Sequence, residues 1–457
     1  MKFKTTDPAT GKIIAEYETM SREEVFEIAE ACHVAFLRWR ERDASRRSSH
    51  FRKLAGVLRK NRERYAKLIT TEMGKPITDS LAEIEKCAWS AEVFAERASD
   101  WLQEETFEVD GKRHVVYYEP LGVILSIMPW NFPFWQVFRF AVPTILAGNV
   151  SILKHSNTVP QCALAIEEAF REAGFPDNTF RAVIADYSTI AELIASDIIQ
   201  GVSLTGSTGA GQRIGEIAGK HLKKVVLELG GSDPFIVLED ADIDLAARKA
   251  ALARAQNAGQ SCIAAKRFIV MEKVADTFSQ RFAEYMNELV VGDPMDEETQ
   301  VGPLVNLDSA EEMGDLVEDA ISKGARLISG GKRLHKEGYF FRPTVLTDVT
   351  PEMRVVAEES FCPVAPVITV KDEDEAIEVA NSTEFGLGGS VWTRDLERGM
   401  RVARQIEAGT LFVNAVTKSD PRMPFGGIKR SGLGRELSRF GIREFVNVKA
   451  LNVYDHR

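Results

Sequence analysis

Two short stretches hold the side-chain types of a covalent mechanism. At 256–262, Gln-Asn-Ala-Gly-Gln-Ser-Cys places the Cys262 thiol just beyond a Gly-Gln-Ser turn, and at 227–231, Leu-Glu-Leu-Gly-Gly puts Glu228 at the end of the apolar run Val225-Val226-Leu227. A thiol becomes a nucleophile once deprotonated, and a nearby carboxylate can serve as base. A carboxylate in an apolar run must be paired, functional, or protonated through a raised pKa. A raised pKa suits a base that activates water near neutral pH. Pattern alone does not choose the thiol. Cys32, Cys87 and Cys162 fall on inner faces of amphipathic helical runs, where a thiol acts as a small hydrophobe. Cys262 and Cys362 both lie in turn sequences, and both remain candidates.

Other residues could serve such a thiol. Pro129-Trp130-Asn131-Phe132-Pro133 is a rigid loop directly after an apolar strand, and an amide held there can donate to a developing oxyanion. A buried Asn satisfying a turn is the competing reading. Thr205-Gly206-Ser207-Thr208-Gly209 joins a strand to a helix, so backbone N–H groups could face a phosphate. The Gly-x-Gly-x-x-Gly fingerprint opens none of the helices. Lys154, at the end of another strand, adds a cation at a place suited to ribose or phosphate, although a surface lysine standing alone would look the same. Arg139 interrupts an apolar helix (Phe134, Trp135, Val137, Phe138, Phe140) and needs a partner: a substrate carboxylate, bound bidentately, or an internal salt bridge.

The elements that must position these residues follow from periodicity. Apolar strands at 123–127, 150–154, 182–185, 202–205 and 225–229 alternate with helices at 135–147, 160–173, 189–195 and 210–221. Such alternation predicts a parallel, doubly wound sheet. A second series of the same kind runs from 234 to 413, with helices near 242–258, 273–289, 308–323, 372–381 and 394–406. Two α/β domains in tandem follow, meeting near Gly230-Gly231, and the cleft between them is the expected site. Ahead of them, Ser21 and Glu24 form a capping box for one helix, a second is expected over 46–73, stopped by Gly74-Lys75-Pro76, and a third over 77–101. A hairpin at 107–118 turns through Val-Asp-Gly-Lys. It needs a partner, either another subunit or the strand-like segment 445–454.

At 457 residues the chain is too long for one small core. A net charge of −11 argues against a general nucleic-acid binder. No apolar run reaches the length of a membrane span, and the segment after Met1 lacks an apolar signal core. Five widely spaced cysteines suit free thiols in a reducing cytoplasm and suggest neither a disulfide framework nor a metal cluster.

Together the motifs Pro-Trp-Asn-Phe-Pro (129–133), Leu-Glu-Leu-Gly-Gly (227–231), Gly-Gln-Ser-Cys (259–262), Glu-Glu-Ser-Phe-Cys-Pro (358–363) and Pro-Phe-Gly-Gly-Ile-Lys-x-Ser-Gly (424–432) resemble the NAD(P)-dependent aldehyde dehydrogenase superfamily, in the same order and over essentially the whole chain. The resemblance implies two Rossmann-like α/β domains with a small β bridging element: 1–101 with 120–229 for the cofactor, 230–435 for catalysis, and 102–119 with 436–457 for assembly into a homodimer or homotetramer. It implies that Cys262 attacks an aldehyde, that Asn131 and the Cys262 N–H hold the oxyanion, and that Glu228 activates the water that hydrolyses the resulting thioester. Lys154 and Glu359 would hold the nicotinamide-side ribose and adjoining groups, Gly206 and Ser207 the pyrophosphate, and Phe361 would pack near the nicotinamide. Trp130, Ser156, Asn157 and Leu229 complete the cofactor set. Cys362 departs from the family glycine after that Phe.

Substrate and cofactor choice follow from finer comparison. The succinate-semialdehyde dehydrogenases of the family have an arginine matching Arg139 and a serine matching Ser419, which implies succinate semialdehyde as substrate. They often carry a second arginine six residues before the nucleophile, where this chain has Gln256. A broader specificity for other semialdehydes and medium aldehydes, a CoA-acylating enzyme, and a retired binding protein are the alternatives. After Lys154, His155-Ser156-Asn157 lacks the glutamate that NAD-preferring members place three residues on. Without that carboxylate to repel a 2′-phosphate, NADP is the expected preferred cofactor, with NAD accepted.

Overall fold

The computed structural model describes residues 2–110, 112–334 and 337–454. Two sheets dominate it. The first has six strands in the order Gly432–Leu433, Lys224–Glu228, Ile199–Thr205, Val123–Met128, Val150–His155, Phe180–Ala182. Its strands are parallel except the first, which runs antiparallel and pairs Gly432 with Glu228. The second has seven, in the order Arg326–Ser329, Thr344–Thr347, Val364–Val370, Ala265–Met271, Asp233–Val237, Gly388–Trp392, Thr410–Val413. Only its edge strand Arg326–Ser329 is antiparallel. Near-continuous apolar strands are what a sheet covered on both faces demands, and Val123–Met128 and Val150–His155 are buried almost throughout. The mixed α/β, Rossmann-like fold expected from the alternation is the fold observed.

Helices cover the first sheet. Arg22–Trp39 starts at the Ser21–Glu24 capping box. The helix expected over 46–73 is instead two, Ala44–Lys60 and Arg62–Met73, because Asn61 leaves helical geometry at φ −101°, ψ 15°. Gly74, left-handed at φ 81°, ends the second, as expected for a glycine stop. The next helix, Ile77–Trp101, keeps its expected bounds and caps another. Helix Trp135–Leu146 has no side-chain cap of its own. Glu83, from Ile77–Trp101, accepts from Phe134 N and Trp135 N, both at 2.9 Å, and pairs in turn with buried Lys75. A helix start left unsatisfied would cost free energy, so a distant carboxylate fixes the helix that carries Arg139.

Two β elements flank this frame. Strands Glu105–Val109 and Lys112–Pro120 form the expected hairpin, whose turn residue Gly111 lies outside the described residues. Its partner is the terminal strand Val446–Asn452, antiparallel from Val446↔Pro120 to Asn452↔His114. A second hairpin, Lys2–Asp7 with Lys12–Glu18, closes around the Asp7–Gly11 turn. Only the turn was evident from sequence, because strands with mixed charges and exposed isoleucines carry little period-two signal.

Candidate active site

Cys262 sits on a turn that the chain holds against its own preference. Helix Ile243–Ala255 gives way to a single 3-10 turn in which Asn257 (φ 52°), Ala258 (φ 53°) and Gly259 (φ 75°) are all left-handed. For a non-glycine residue this conformation costs about 1–2 kcal/mol. Gly259 is required twice over, since a Cβ there would lie 2.4 Å from the Cys362 carbonyl carbon. Polar contacts fix the turn. Arg254, wholly buried, donates to Gly259 O at 2.7 Å and Ala265 O at 2.9 Å. Gln260 accepts from Val305 N at 2.8 Å, and Lys266 Nζ donates to Ser261 O at 3.0 Å and Cys262 O at 2.8 Å. Strain retained against this many restraints is characteristic of functional sites.

The turn faces a cavity of about 310 Å³ whose lining includes Asn131, Cys262, Gly206, Ser207, Glu359 and Phe361. The Asn131 side-chain amide donates to Gln260 O at 3.1 Å, and the Asn131 backbone carbonyl accepts from Asn257 Nδ2 at 2.9 Å. The loop and the thiol-bearing turn are thereby tied together, and the amide and the thiol line one cavity. Among the five free thiols, Cys262 alone is not buried. Burial within the site still pushes its thiol up to about 11, with the charges of Arg139 and Lys266 pulling the other way. Cys362 is buried and pushed up to about 12 by burial, with Arg254 opposing. Exposure therefore separates the two turn-borne cysteines that sequence leaves unranked.

Glu228 is held between strands, with Gly206 N donating to its carbonyl at 3.0 Å. Its side chain is 2% exposed, and Oε1 has no hydrogen-bond partner among the described residues. Burial raises its carboxyl well above the usual range. The Glu436 charge adds to this, and Arg139 opposes it. The carboxyl packs on Gly426, where a Cβ would lie 2.6 Å from Oε1. That contact gives the Pro-Phe-Gly-Gly segment a physical role beside the acid.

On the cofactor side, Ser207 caps helix Thr208–Lys220 by accepting from Ala210 N at 3.3 Å. The first-turn N–H groups of a helix have no intrahelical acceptor, and a Cβ at Gly209 would meet nothing within 4 Å. Lys154 Nζ donates to Asn157 Oδ1 at 2.9 Å and lies 5.1 Å from the Tyr187 ring centre, and burial lowers it to about 8. Ser156 Oγ donates to Thr158 Oγ1 at 3.2 Å. Trp130 and Phe361 meet edge to face at 5.9 Å. Glu359 accepts from Gly231 N at 3.0 Å and pairs with Lys266 at 3.5 Å. Leu229 lines the same cavity and packs over Gly211, where a Cβ would lie 2.5 Å from it. A helix N-terminus and an aromatic wall around one cavity, with the buried Lys154 cation at a neighbouring strand end, fit a pyridine dinucleotide.

The substrate side is built from paired side chains. Arg139 is 2% exposed. It forms an ion pair with Glu436 and lies 4.5 Å from the Phe425 ring centre. The internal salt bridge, one of the two sequence readings for Arg139, is present. The reason lies in the loop after Pro424, which returns Glu436 to the helix that carries Arg139. Ser419 Oγ accepts from Lys86 Nζ at 2.8 Å and from Trp135 Nε1 at 3.1 Å. Gln256 lines a second cavity of about 340 Å³ with Ile263, the neighbour of Cys262, and Thr417. Nothing in the sequence singles out Lys86, Lys266 or Glu436. Each resembles an ordinary surface charge until its partners are known.

The fold and the thiol-bearing cleft define a class, and the chain belongs to the aldehyde dehydrogenase family, whose model matches residues 1–451. Particular relatives narrow the comparison. A "Probable succinate-semialdehyde dehydrogenase" (NADP+) of Synechocystis sp. is 48% identical over 99% of each chain. A succinate-semialdehyde dehydrogenase (NADP+) of Deinococcus radiodurans is 42% identical over 99% of this chain and 95% of its own. The crystal structure of succinic semialdehyde dehydrogenase from Streptococcus pyogenes in complex with NADP+ superposes with a TM-score of 0.97 at 36% identity, covering 99% of this chain and all of the other.

Proposed function

We propose that the protein oxidises succinate semialdehyde to succinate with NADP as preferred cofactor and NAD accepted. The observation that carries the reading is the Cys262 turn, whose thiol shares one cavity with the Asn131 amide and a helix N-terminus. The relatives' names agree with it. In this reading Cys262, as thiolate, attacks the aldehyde carbon. Asn131 Nδ2 and the Cys262 N–H stabilise the oxyanion, a type of contact worth about 3–4 kcal/mol in the transition state. The nicotinamide, when bound, accepts the hydride. Gly206 and Ser207 would face its pyrophosphate, Lys154 and Glu359 would hold the nicotinamide-side ribose and adjoining groups, Phe361 would pack near the nicotinamide, and Trp130, Ser156, Asn157 and Leu229 complete the cofactor set. Glu228, whose carboxyl burial raises, acts in its ionised form as the base for hydrolytic water once it turns from Gly426 toward the thiol and has given up its proton. Asn157 offers no negative charge to repel a 2′-phosphate.

The same reading assigns 1–101 with 120–229 to cofactor binding, 230–435 to catalysis, and 102–119 with 436–457 to a homo-oligomer interface in a cytoplasmic enzyme. Exposed Phe107, Val109, Val448 and Leu451 on the three-stranded element support the interface. The test is a steady-state panel of succinate semialdehyde, glutarate semialdehyde and uncharged aldehydes with NAD and NADP, with products identified. Highest kcat/KM for succinate semialdehyde with NADP, yielding free acid, is the expected result. Acyl-CoA as product, or equal rates for butanal, would refute it.

A further inference from the structure

One buried cation touches the backbone of the nucleophile itself. Lys266 stands near the start of strand Ala265–Met271, 1% exposed, between the pairs Asp233↔Ala265 and Pro234↔Arg267. It is therefore an extra residue on its strand, a bulge, which parallel pairs rarely carry and which re-aims a side chain. Its Nζ donates to Ser261 O at 3.0 Å and to Cys262 O at 2.8 Å. It also pairs with Glu359 at 3.5 Å and lies 6.0 Å from the Phe361 ring centre. We propose that Lys266 is a positioning residue for the nucleophile: its ammonium, anchored by Glu359, holds two carbonyls of the turn and keeps a positive charge beside the Cys262 thiolate. The inference rests on Cys262 as the nucleophile of the proposed reaction and deepens that reading.

The peptide geometry supports the assignment. Ser261 O and the Cys262 N–H belong to one planar peptide unit. Gripping the oxygen therefore fixes where the N–H points, and that N–H is an oxyanion donor in the reading above. An ammonium has three donors. Two are spent on the turn carbonyls, and Glu359 supplies the counter-charge. Glu359 is itself fixed, accepting from Gly231 N at 3.0 Å. The same carboxylate is assigned above to the cofactor, so the pair ties the cofactor end of the cavity to the thiol.

The charges agree with this geometry. Burial raises the Cys262 thiol, Arg139 and Lys266 favour its thiolate, and Glu359 and Glu228 oppose it. Burial likewise disfavours the Lys266 ammonium, which Glu359, Asp233 and Cys262 favour and Arg254 opposes. Arg139 already has Glu436 as its counter-ion. Lys266 is thus the cation that both favours the thiolate and bonds the residue carrying it.

The test measures alkylation of Cys262 by iodoacetamide from neutrality to about pH 10, without cofactor, in wild type, Lys266→Met and Glu359→Gln. Peptide mass spectrometry confirms the site. Removing the cation costs thiolate, so the rate in Lys266→Met should fall about tenfold at every pH, the scale of one charge a few ångströms away. Removing the anion does the opposite, and Glu359→Gln should react about threefold faster or more. Both variants break the same ion pair, so a merely structural pair would move both rates in one direction. If Lys266→Met fails to fold, Lys266→Gln, neutral but still a donor, is read in its place. Rates that move together, or a wild-type rate in either variant, overturn the Lys266 assignment and leave Cys262 as the nucleophile. Wild-type enzyme that still turns over with Cys262 alkylated overturns the nucleophile reading and this inference with it.

Discussion

The two sides of Cys262 are built by different means. On the cofactor side, the ligand would meet strand ends, a helix N-terminus and aromatic faces, all from short contiguous segments. On the substrate side, Lys86, Arg139, Ser419 and Glu436 act through pairs that join distant parts of the chain. Backbone-built sites need glycines and caps at fixed spacing, so they leave motifs. Sites built from paired charges leave single residues whose roles depend on a partner elsewhere. The comparison also separates functions: backbone amides recognise phosphate generally, whereas buried cations discriminate one substrate from another.

The sharpest break should come at the point shared by both sides. Cys262→Ala should abolish aldehyde oxidation, by about 10⁴-fold or more, while dinucleotide binding measured by titration calorimetry persists. Retained turnover would transfer the chemistry to another residue. The next effect belongs to the substrate side. Arg139→Met leaves the Glu436 carboxyl buried without its partner and should destabilise the fold by about 3–5 kcal/mol in urea unfolding, with Arg139→Met/Glu436→Met recovering most of the loss. If the single variant unfolds like wild type, the pair is not structural.

On the cofactor side, Asn157→Glu places a carboxylate beside Lys154. The ratio of kcat/KM for NADP to that for NAD should fall by about tenfold or more. An unchanged ratio would place the 2′-phosphate away from this strand end. The smallest test concerns the thiol itself. With Cys262 pushed up to about 11, the thiolate fraction rises with pH, so alkylation by iodoacetamide should accelerate roughly tenfold per pH unit from neutrality towards pH 10. Peptide mapping should find one modified cysteine in the native protein, because the other four are buried. Early labelling of Cys362 would contradict the burial that separates them.

The same contrast explains what the sequence discloses. Alternating strands and helices, the Ser21–Glu24 box and the Gly74 stop were legible because each signal is local. So was the helix-start glycine segment at 206–209. The break at Asn61 was not, since no glycine or proline marks it. The partner of Arg139 was not legible either, because a cation in an apolar helix declares a need without naming what meets it. Lys86 lay on a helix face among ordinary charges, and only its contact with Ser419 distinguishes it. The Pro-Phe-Gly-Gly segment was legible as a motif, whereas its contact with Glu228 through Gly426 required three dimensions.

The central claim is that Cys262 forms a thioester which Glu228 helps water to cleave. It is tested most directly by mixing Glu228→Gln with succinate semialdehyde and NADP, quenching in acid, and locating any adduct by peptide mass spectrometry. The account predicts a burst of about one NADPH per active site, slow turnover thereafter, and a succinyl group on the Cys262 peptide. Undiminished turnover with no acyl group on Cys262 would contradict it.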